Sequence, residues 1–405
     1  MSNTILTPTA VTRKALEIFH NNLVFAKRVN RQYDDQFAKS GAKIGTSLKI
    51  REPNQFTVRT GAVIDAQDIT ESSTTLTLAT QKGVDVNFSS VELTMSLDDF
   101  AERILEPAMA RLASQVDYEG LSLYKDIYNH VGTGRTTPQT ALVALQAGQK
   151  LNEFCAPQSQ RYIVMNPVAQ AYMVDALKAL FHSAPKISSQ YTKGEMGQAL
   201  GFDWAMSQNV NSLTCGTRDL APEVYAVGVE AGTVIKIDGC TAETETITEG
   251  ECFTVATVNA VNPETKEDTG ALQGFVATAT ATGDATSIDV SVQPALYAAA
   301  GVTKTITALP AVNDLVLFEG AAAAATTDGL SVVNNLAFHK DAFCLATADL
   351  VMPKGVDFAS RQVYDGISMR IVRQYDINND AFPCRIDVLY GWKTLRPQWA
   401  CRIMG

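Results

Sequence analysis

Residues 84–95 read VDVNFSSVELTM and residues 96–116 read SLDDFAERILEPAMARLASQV. The change of period at their junction decides the fold. In the first segment Val84, Val86 and Phe88 alternate with polar residues, the two-residue repeat of a strand with one covered face. In the second, Leu97, Phe100, Ile104, Leu105, Ala108, Met109, Leu112 and Val116 form one continuous apolar stripe at helical spacing. Ser96 with Asp99 makes a capping-box-like start, because the hydroxyl accepts an orphan amide and an acid suits the positive helix end. Pro107 should bend this helix. Gly132 and Gly134 should end it, so the spacing predicts a long helix over 96–132.

Upstream, residues 44–95 are rich in strand signals: SLKIRE, FTVRTG, TLTLAT, VDVNFS and VELTM, with a polar connector from Asp65 to Thr74. Large apolar residues are few. A hairpin this poor in core-formers is marginal alone in water, and it is expected to lie on another surface, that of a neighbouring subunit. Before it, residues 8–29 carry Val11, Ala15, Ile18 and Phe19 at helical spacing together with Arg13, Lys14, Lys27, Arg28 and Arg31. This arm reads as a partner-contacting element.

Downstream, a second helix is predicted from Thr137-Pro138, with proline in its favoured first turn, to Phe154. Arg161–Met165 reads as a short buried strand, and Asn166-Pro167 turns the chain into a helix through Phe181. Residues 182–210 are loop-rich. Further strands are expected at 336–338, 343–345, 369–372 and 385–390. Helices and strands mix without repeated βαβ units, which indicates an α+β fold.

Charge divides the chain unevenly. Residues 222–320 hold 14 Asp and Glu against 3 Lys and Arg, a net of −11, whereas the remainder holds 29 acids against 30 bases. The texture changes with the charge. FTVATVNAV, GFVATATATG and SIDVSVQ are short alternating runs broken by Gly, Asn and Asp, and the turn-like segment Asn262–Gly270 separates two of them. A small β-barrel or sandwich, separately folded and inserted at 222–320, is the expected reading.

The whole chain has 405 residues, room for two or three domains. No apolar run approaches the roughly 18 residues of a membrane span, and the first residues lack the apolar core of a signal peptide. Seven cysteines, an odd number without a C-x-x-C pair, read as reduced thiols. A net charge of −10 argues against a general nucleic-acid binder. No phosphate-binding loop, dinucleotide fingerprint, zinc-protease motif or nucleophile elbow occurs. The four histidines (20, 130, 182, 339) lie far apart in sequence. His339 near Asp341 imitates a base with an orienting acid, but neighbours of that kind arise by chance. Neither catalytic, cofactor-binding nor metal-ligating residues are expected, and the chain is read as no enzyme.

The order of these elements resembles the Hong Kong 97-type fold of tailed-bacteriophage major capsid proteins. Tyr162-Ile163-Val164-Met165-Asn166-Pro167 followed by AQAYMVDALKAL carries the likeness, as do GQALGFDWAMSQNV (197–210), NLAFHKDAFCLAT (335–347) and the ending YGWKTLRPQWACRIMG. The acid-rich block is similar in position and texture to the inserted β-domain of the coat proteins of short-tailed Salmonella phages, and Gln293-Pro294-Ala295-Leu296 closes its strands. The resemblance implies an N-terminal arm at 1–40, an E-loop hairpin at 41–95, a spine helix at 96–132, a peripheral domain with the start of the axial domain at 133–221, the insert at 222–320, and axial strands at 321–405.

The function so implied is that of a subunit that assembles as pentamers and hexamers into an icosahedral virion shell around double-stranded DNA in the host cytoplasm. Its partners would be copies of itself, a separate scaffolding protein, a portal protein and, non-specifically, packaged DNA; no membrane and no cofactor is involved. Only about 40 residues precede the hairpin, too few for a fused scaffolding segment. Arg51, Arg59, Glu264, Lys266, Glu267 and Asp268 are the expected contacts between subunits. Two other readings compete: a decoration or tail component, and a β-rich binding module.

Overall fold

The computed structural model describes residues 8–32, 47–54, 56, 58, 61–64, 66, 71–89, 105–134, 136–177, 197–217, 222–238, 245–284, 286–301, 303–318, 329, 331–364 and 366–404. The capping box at Ser96, the stripe members Leu97, Phe100 and Ile104, and Arg59 lie outside them. The chain divides into two compact units. One comprises Met1–Glu52, Ser73–Gly120 and Phe343–Lys393; the other comprises Pro53–Ser72, Leu121–Ala342 and Thr394–Gly405.

The first unit is built on the strand Ala381–Thr394. Thr80–Ser89 pairs with it antiparallel from Ala381↔Ser89 to Tyr390↔Thr80. On its other side lies Ile367–Arg373, and Phe358–Tyr364 pairs beyond that. Met369, Ile371, Ile386 and Val388 fill the covered face. Asp387, on the opposite face, is fully buried under Arg370 (2.6 Å) and Arg385 (2.7 Å). Gly83 pairs opposite it because a Cβ there would stand 2.5 Å from both the Asp387 carboxylate and the Ile386 carbonyl. Helix α1 (Pro8–Asn22) lies against Phe358–Tyr364, burying Ala15, Leu16 and Phe19.

Helix α2 (Glu106–Leu121) buries the expected stripe at Met109, Leu112 and Val116. Pro107 lies in α2 just after Leu105, which is π-helical. The last two turns of α2 gather the unit. The buried Asp117 carboxylate accepts the amides of Val24 (2.6 Å), Phe25 (3.1 Å) and Ala26 (3.0 Å). Those bonds explain why α1 stops at Asn22 and not near residue 29, since amides given to a carboxylate cannot continue a helical ladder. Burial pushes the pKa of Asp117 up, and the three amides and Arg28 pull against it. Glu119 accepts from Tyr390 (2.6 Å) and Gln115 (3.0 Å) and pairs with Lys82 (3.0 Å). Gly120 lets Trp392 and Phe25 close in, because a Cβ would sit 2.5 Å from the indole.

The helix does not reach Gly132. It gives way to a single 3-10 turn, Ser122–Asp126, and Ile127 is extended. The cause is tertiary. His130–Val131 pairs in parallel with Arg402–Ile403, and the Asn129 amide donates to the carbonyls of Gln398 and Ala400. Strand pairing with the C-terminal segment overrides the local helical spacing.

The second unit holds a sheet ordered His130–Val131, Ala400–Ile403, Asn335–His339, Arg161–Met165, Phe202–Met206 and Gln198–Ala199. Helices α3 (Ala141–Glu153) and α4 (Pro167–Leu177) share a core with it through Ala144, Ala147, Leu151, Ala169 and Met173. Asn166 caps α4, its side chain accepting the Ala169 amide at 2.8 Å, with Pro167 in the first turn. Helix α3 begins three residues later than expected, and Pro138 is buried ahead of it.

The acid-rich block forms a barrel in the same unit. Five strands follow the order Val316–Phe318, Cys252–Val261, Asp268–Ala277, Ile288–Leu296 and Gly232–Ile237. Glu223 bridges to Leu315 and Val224 to Ile237, so residues 222–225 close the ring. The incoming chain at Pro222 accepts the amide of Val316 on the outgoing strand at 2.8 Å. Phe253, Phe275 and Phe318 pack at the centre with ring separations of 5.8 and 5.1 Å.

Asp117→Ala should strand three buried donors and lower unfolding free energy by about 3 kcal/mol or more, read by urea denaturation. Glu119 supplies a pH test. Burial pushes its pKa up, but bonds from Tyr390, Gln115 and Lys82 hold it below 4.5. Its stabilising share is therefore present above the unfolded value and is lost as pH falls through the lower folded value. Tyr390→Phe should flatten the fall in stability between pH 5 and 3, on the order of 1 kcal/mol; an unchanged pH profile would count against the assignment.

Candidate functional site

The hairpin strands Ser47–Arg51 and Ser73–Thr77 pair in antiparallel register, Leu48 opposite Leu76 and Arg51 opposite Ser73. Two-residue periodicity sorts them cleanly. Ile50 and Leu76 are buried, while Ser47, Lys49, Arg51, Ser73, Thr75 and Thr77 share the exposed face. Gly391 admits the end of the second strand, because a Cβ there would lie 2.2 Å from the Thr77 carbonyl.

The loop joining the strands carries the most exposed apolar residues near the hairpin. Phe56 is 63 % exposed, Val58 97 %, Val63 84 % and Ile64 82 %. Four such side chains within nine residues exceed the scattered single exposures ordinary on a protein surface.

The other expected contact residues lie on one barrel turn. Asn262 organises it: its side-chain oxygen accepts the amides of Glu264 (2.9 Å) and Thr265 (3.1 Å), and its backbone accepts from Lys266 at 2.9 Å. The Asn262 amide group donates to the Glu153 carbonyl (3.4 Å) and its oxygen accepts from Cys155 Sγ (3.6 Å), which ties the turn to the end of α3. Glu264, Glu267 and Asp268 are exposed. Asp268 accepts from Asn259 (3.0 Å) and the Gly270 amide (2.7 Å), and these bonds hold its pKa below the ordinary value.

Lys266 does not join that outward group. It takes a left-handed backbone (φ 62°), is half-buried, and directs its ammonium to the Lys304 carbonyl at 3.5 Å. The turn therefore presents three carboxylates. Sequence reasoning grouped all four charges and passed over Asn262; the Asn-Pro pair at the start of the turn was the available signal.

The other candidates resolve quietly. His339 is buried, stacked edge-on against Trp399 at 5.3 Å, and its Nδ1 accepts the Asp341 amide (3.2 Å). Burial lowers its pKa. A pocket of about 440 Å³ is lined by His130, Gln146, Gln149, Lys150, Leu272 and Leu317 among others, and burial pushes His130 down to about 4. Among the described residues no cluster of three His, Cys, Asp or Glu could hold a metal ion, and no helix is long and apolar enough to cross a membrane.

Residues 2–405 match the family model described as "P22 coat protein - gene protein 5". The chain belongs to the P22 coat protein family. As a P22-type coat protein it is a phage major capsid protein with an α+β fold of the Hong Kong 97 type, a structural component of the virion shell. No curated protein matches the sequence. Solved structures similar to this coat protein include one from Mycobacterium phage Che8 (14 % identity, 94 % of this chain and 90 % of that chain, TM-score 0.48). The capsid of Ralstonia phage GP4 shares 8 % identity over 93 % and 86 % (TM-score 0.43). A CUS-3 coat protein I-domain shares 19 % over 26 % of this chain and all of its own (TM-score 0.20). Those likenesses are distant, and the assignment rests on the family match.

Asn262→Ala should leave the barrel folded but loosen the acidic turn, at a cost of about 1 kcal/mol. Limited proteolysis between residues 262 and 270 should then become faster than in the native coat protein.

Proposed function

We propose that this coat protein assembles as pentamers and hexamers into an icosahedral head that encloses double-stranded DNA in the host cytoplasm, and that it carries out no catalysis. The observation that supports this reading is the hairpin loop. Phe56, Val58, Val63 and Ile64 face solvent at 63–97 % exposure, and burying such side chains yields about 1.5–3 kcal/mol each. A surface of this kind is stable when a second copy covers it. Repetition around a closed ring lets modest contacts add up.

The domain plan follows the same reading. Residues 1–40 serve as the arm, 41–95 as the E-loop, 96–132 as the spine region, with α2 as its described helical part, 133–221 as the peripheral domain and start of the axial domain, 222–320 as the insert, and 321–405 as the axial strands. Arg51 on the polar hairpin face and Arg59 in the loop would meet acids of an adjacent subunit. Glu264, Glu267 and Asp268 would do the reverse, with Lys266 holding the turn's shape. Exposed charge pairs of this sort set register and association rate more than affinity. A separate scaffolding protein, a portal protein and weak, non-specific DNA contact complete the partners.

Val63→Asp with Ile64→Asp tests the proposal. The variant should keep its circular dichroism and melting temperature, yet give no closed shells by negative-stain microscopy when co-expressed with scaffold. Normal shells from this variant would remove the support. Glu264→Lys with Glu267→Lys should slow assembly at low salt, with the difference shrinking as ionic strength rises.

A further inference from the structure

Arg402 is fully buried on the strand Ala400–Ile403. Its Nη1 donates to the Gly250 carbonyl at 2.6 Å and to Asn334 Oδ1 at 3.3 Å. The guanidinium lies over the Tyr124 ring, 5.0 Å from its centroid. Among the described residues, Nε and Nη2 have no hydrogen-bond partner and the group forms no ion pair. A buried charge so poorly compensated contributes little net stability, so its value must lie in direction.

The acceptor it reaches is a fixed point on the barrel. The Gly250 amide donates to Ala277 (2.7 Å), and the Ala277 amide donates back to Glu251 (2.9 Å). The Glu251 carboxylate takes the amides of Gly216 (2.6 Å) and Thr248 (2.8 Å). Gly250 itself has φ 93°, and a Cβ would lie 3.0 Å from Lys125. Around this turn the barrel meets the rest of its unit through an apolar patch of Tyr128, Phe154, Cys252, Ala260 and Val276. Apolar contact is non-directional and gives adhesion without a unique angle. The short Arg402–Gly250 bond supplies that angle.

We propose that Arg402 is a positioning residue that fixes the orientation of the barrel on the C-terminal sheet. It acts through the turn Thr248–Glu251, and thereby sets where the acidic turn at Glu264–Asp268 is presented. Apolar packing holds the barrel in place; Arg402 selects one pose.

The test uses the full chain as Arg402→Met, which keeps side-chain length and removes every donor. The melting midpoint should stay within about 3 °C of native. Cryo-electron microscopy of assembled shells should show barrel density smeared or split over an unchanged floor. Arg402→Lys should not restore it, because the shorter side chain leaves its ammonium short of the Gly250 carbonyl and has no planar face to lie over the Tyr124 ring. Sharp barrel density in Arg402→Met overturns the proposal. So does a midpoint lowered by more than about 10 °C with the barrel still in one pose, which is the mark of a plain stability residue. If neither variant yields shells, amide exchange in the native chain decides. Gly250 and Glu251 should exchange within about threefold of Arg402 and Met404; a turn exchanging tenfold faster or more, on the order of 1.4 kcal/mol looser, overturns it.

Discussion

A carboxylate buried at the end of a helix organises the first unit. Asp117 takes the three consecutive amides of Val24, Phe25 and Ala26, so the N-terminal segment is held by α2 and not by its own helical ladder. Two residues further, Glu119 reaches the strand Thr80–Ser89 through Lys82 and the central strand through Tyr390. The helix thus grips three chain segments that are far apart in sequence. Each grip is polar and directional, and that of the buried Asp117 is shielded from water, where hydrogen bonds to a charge are strongest.

That arrangement explains how a hairpin with few core-forming residues stays ordered. Its second strand continues into Thr80–Ser89, which lies along Ala381–Thr394 over its whole length. Stability comes from this long pairing, from Leu76 and Ile50 on the covered face, and from glycines that allow close backbone approach. The apolar residues of the loop take no part in that scheme. The expectation that the hairpin must lie on a neighbouring subunit is corrected in part: its covered face, Ile50 and Leu76, is buried within the chain itself.

Much of this was legible in the sequence. The switch from two-residue to helical spacing placed a strand ahead of α2, and acid density with alternating texture outlined the barrel. Asn166-Pro167 announced the start of α4. The misreadings share one cause: each element was ended by a partner far away in the chain. Asp117 cut α1 short at Asn22. Arg402 and Ile403 drew residues 130–131 into a strand and cut α2 short at Leu121. The inward turn of Lys266 depends on the Lys304 carbonyl, 38 residues on. Local periodicity contains no record of such partners, and the closing of the barrel by residues 222–225 was equally invisible.

The closed barrel has a topological consequence. Pro222 and Val316 share a hydrogen bond, so nearly a hundred residues leave and rejoin the parent at one spot. To the parent chain the whole module is a loop whose ends already touch. Exchanging it for a short connector would spare the rest of the fold any stretching, and closure entropy changes only slowly with loop length. The geometry thus permits exchange of the module without moving the strands on either side of it.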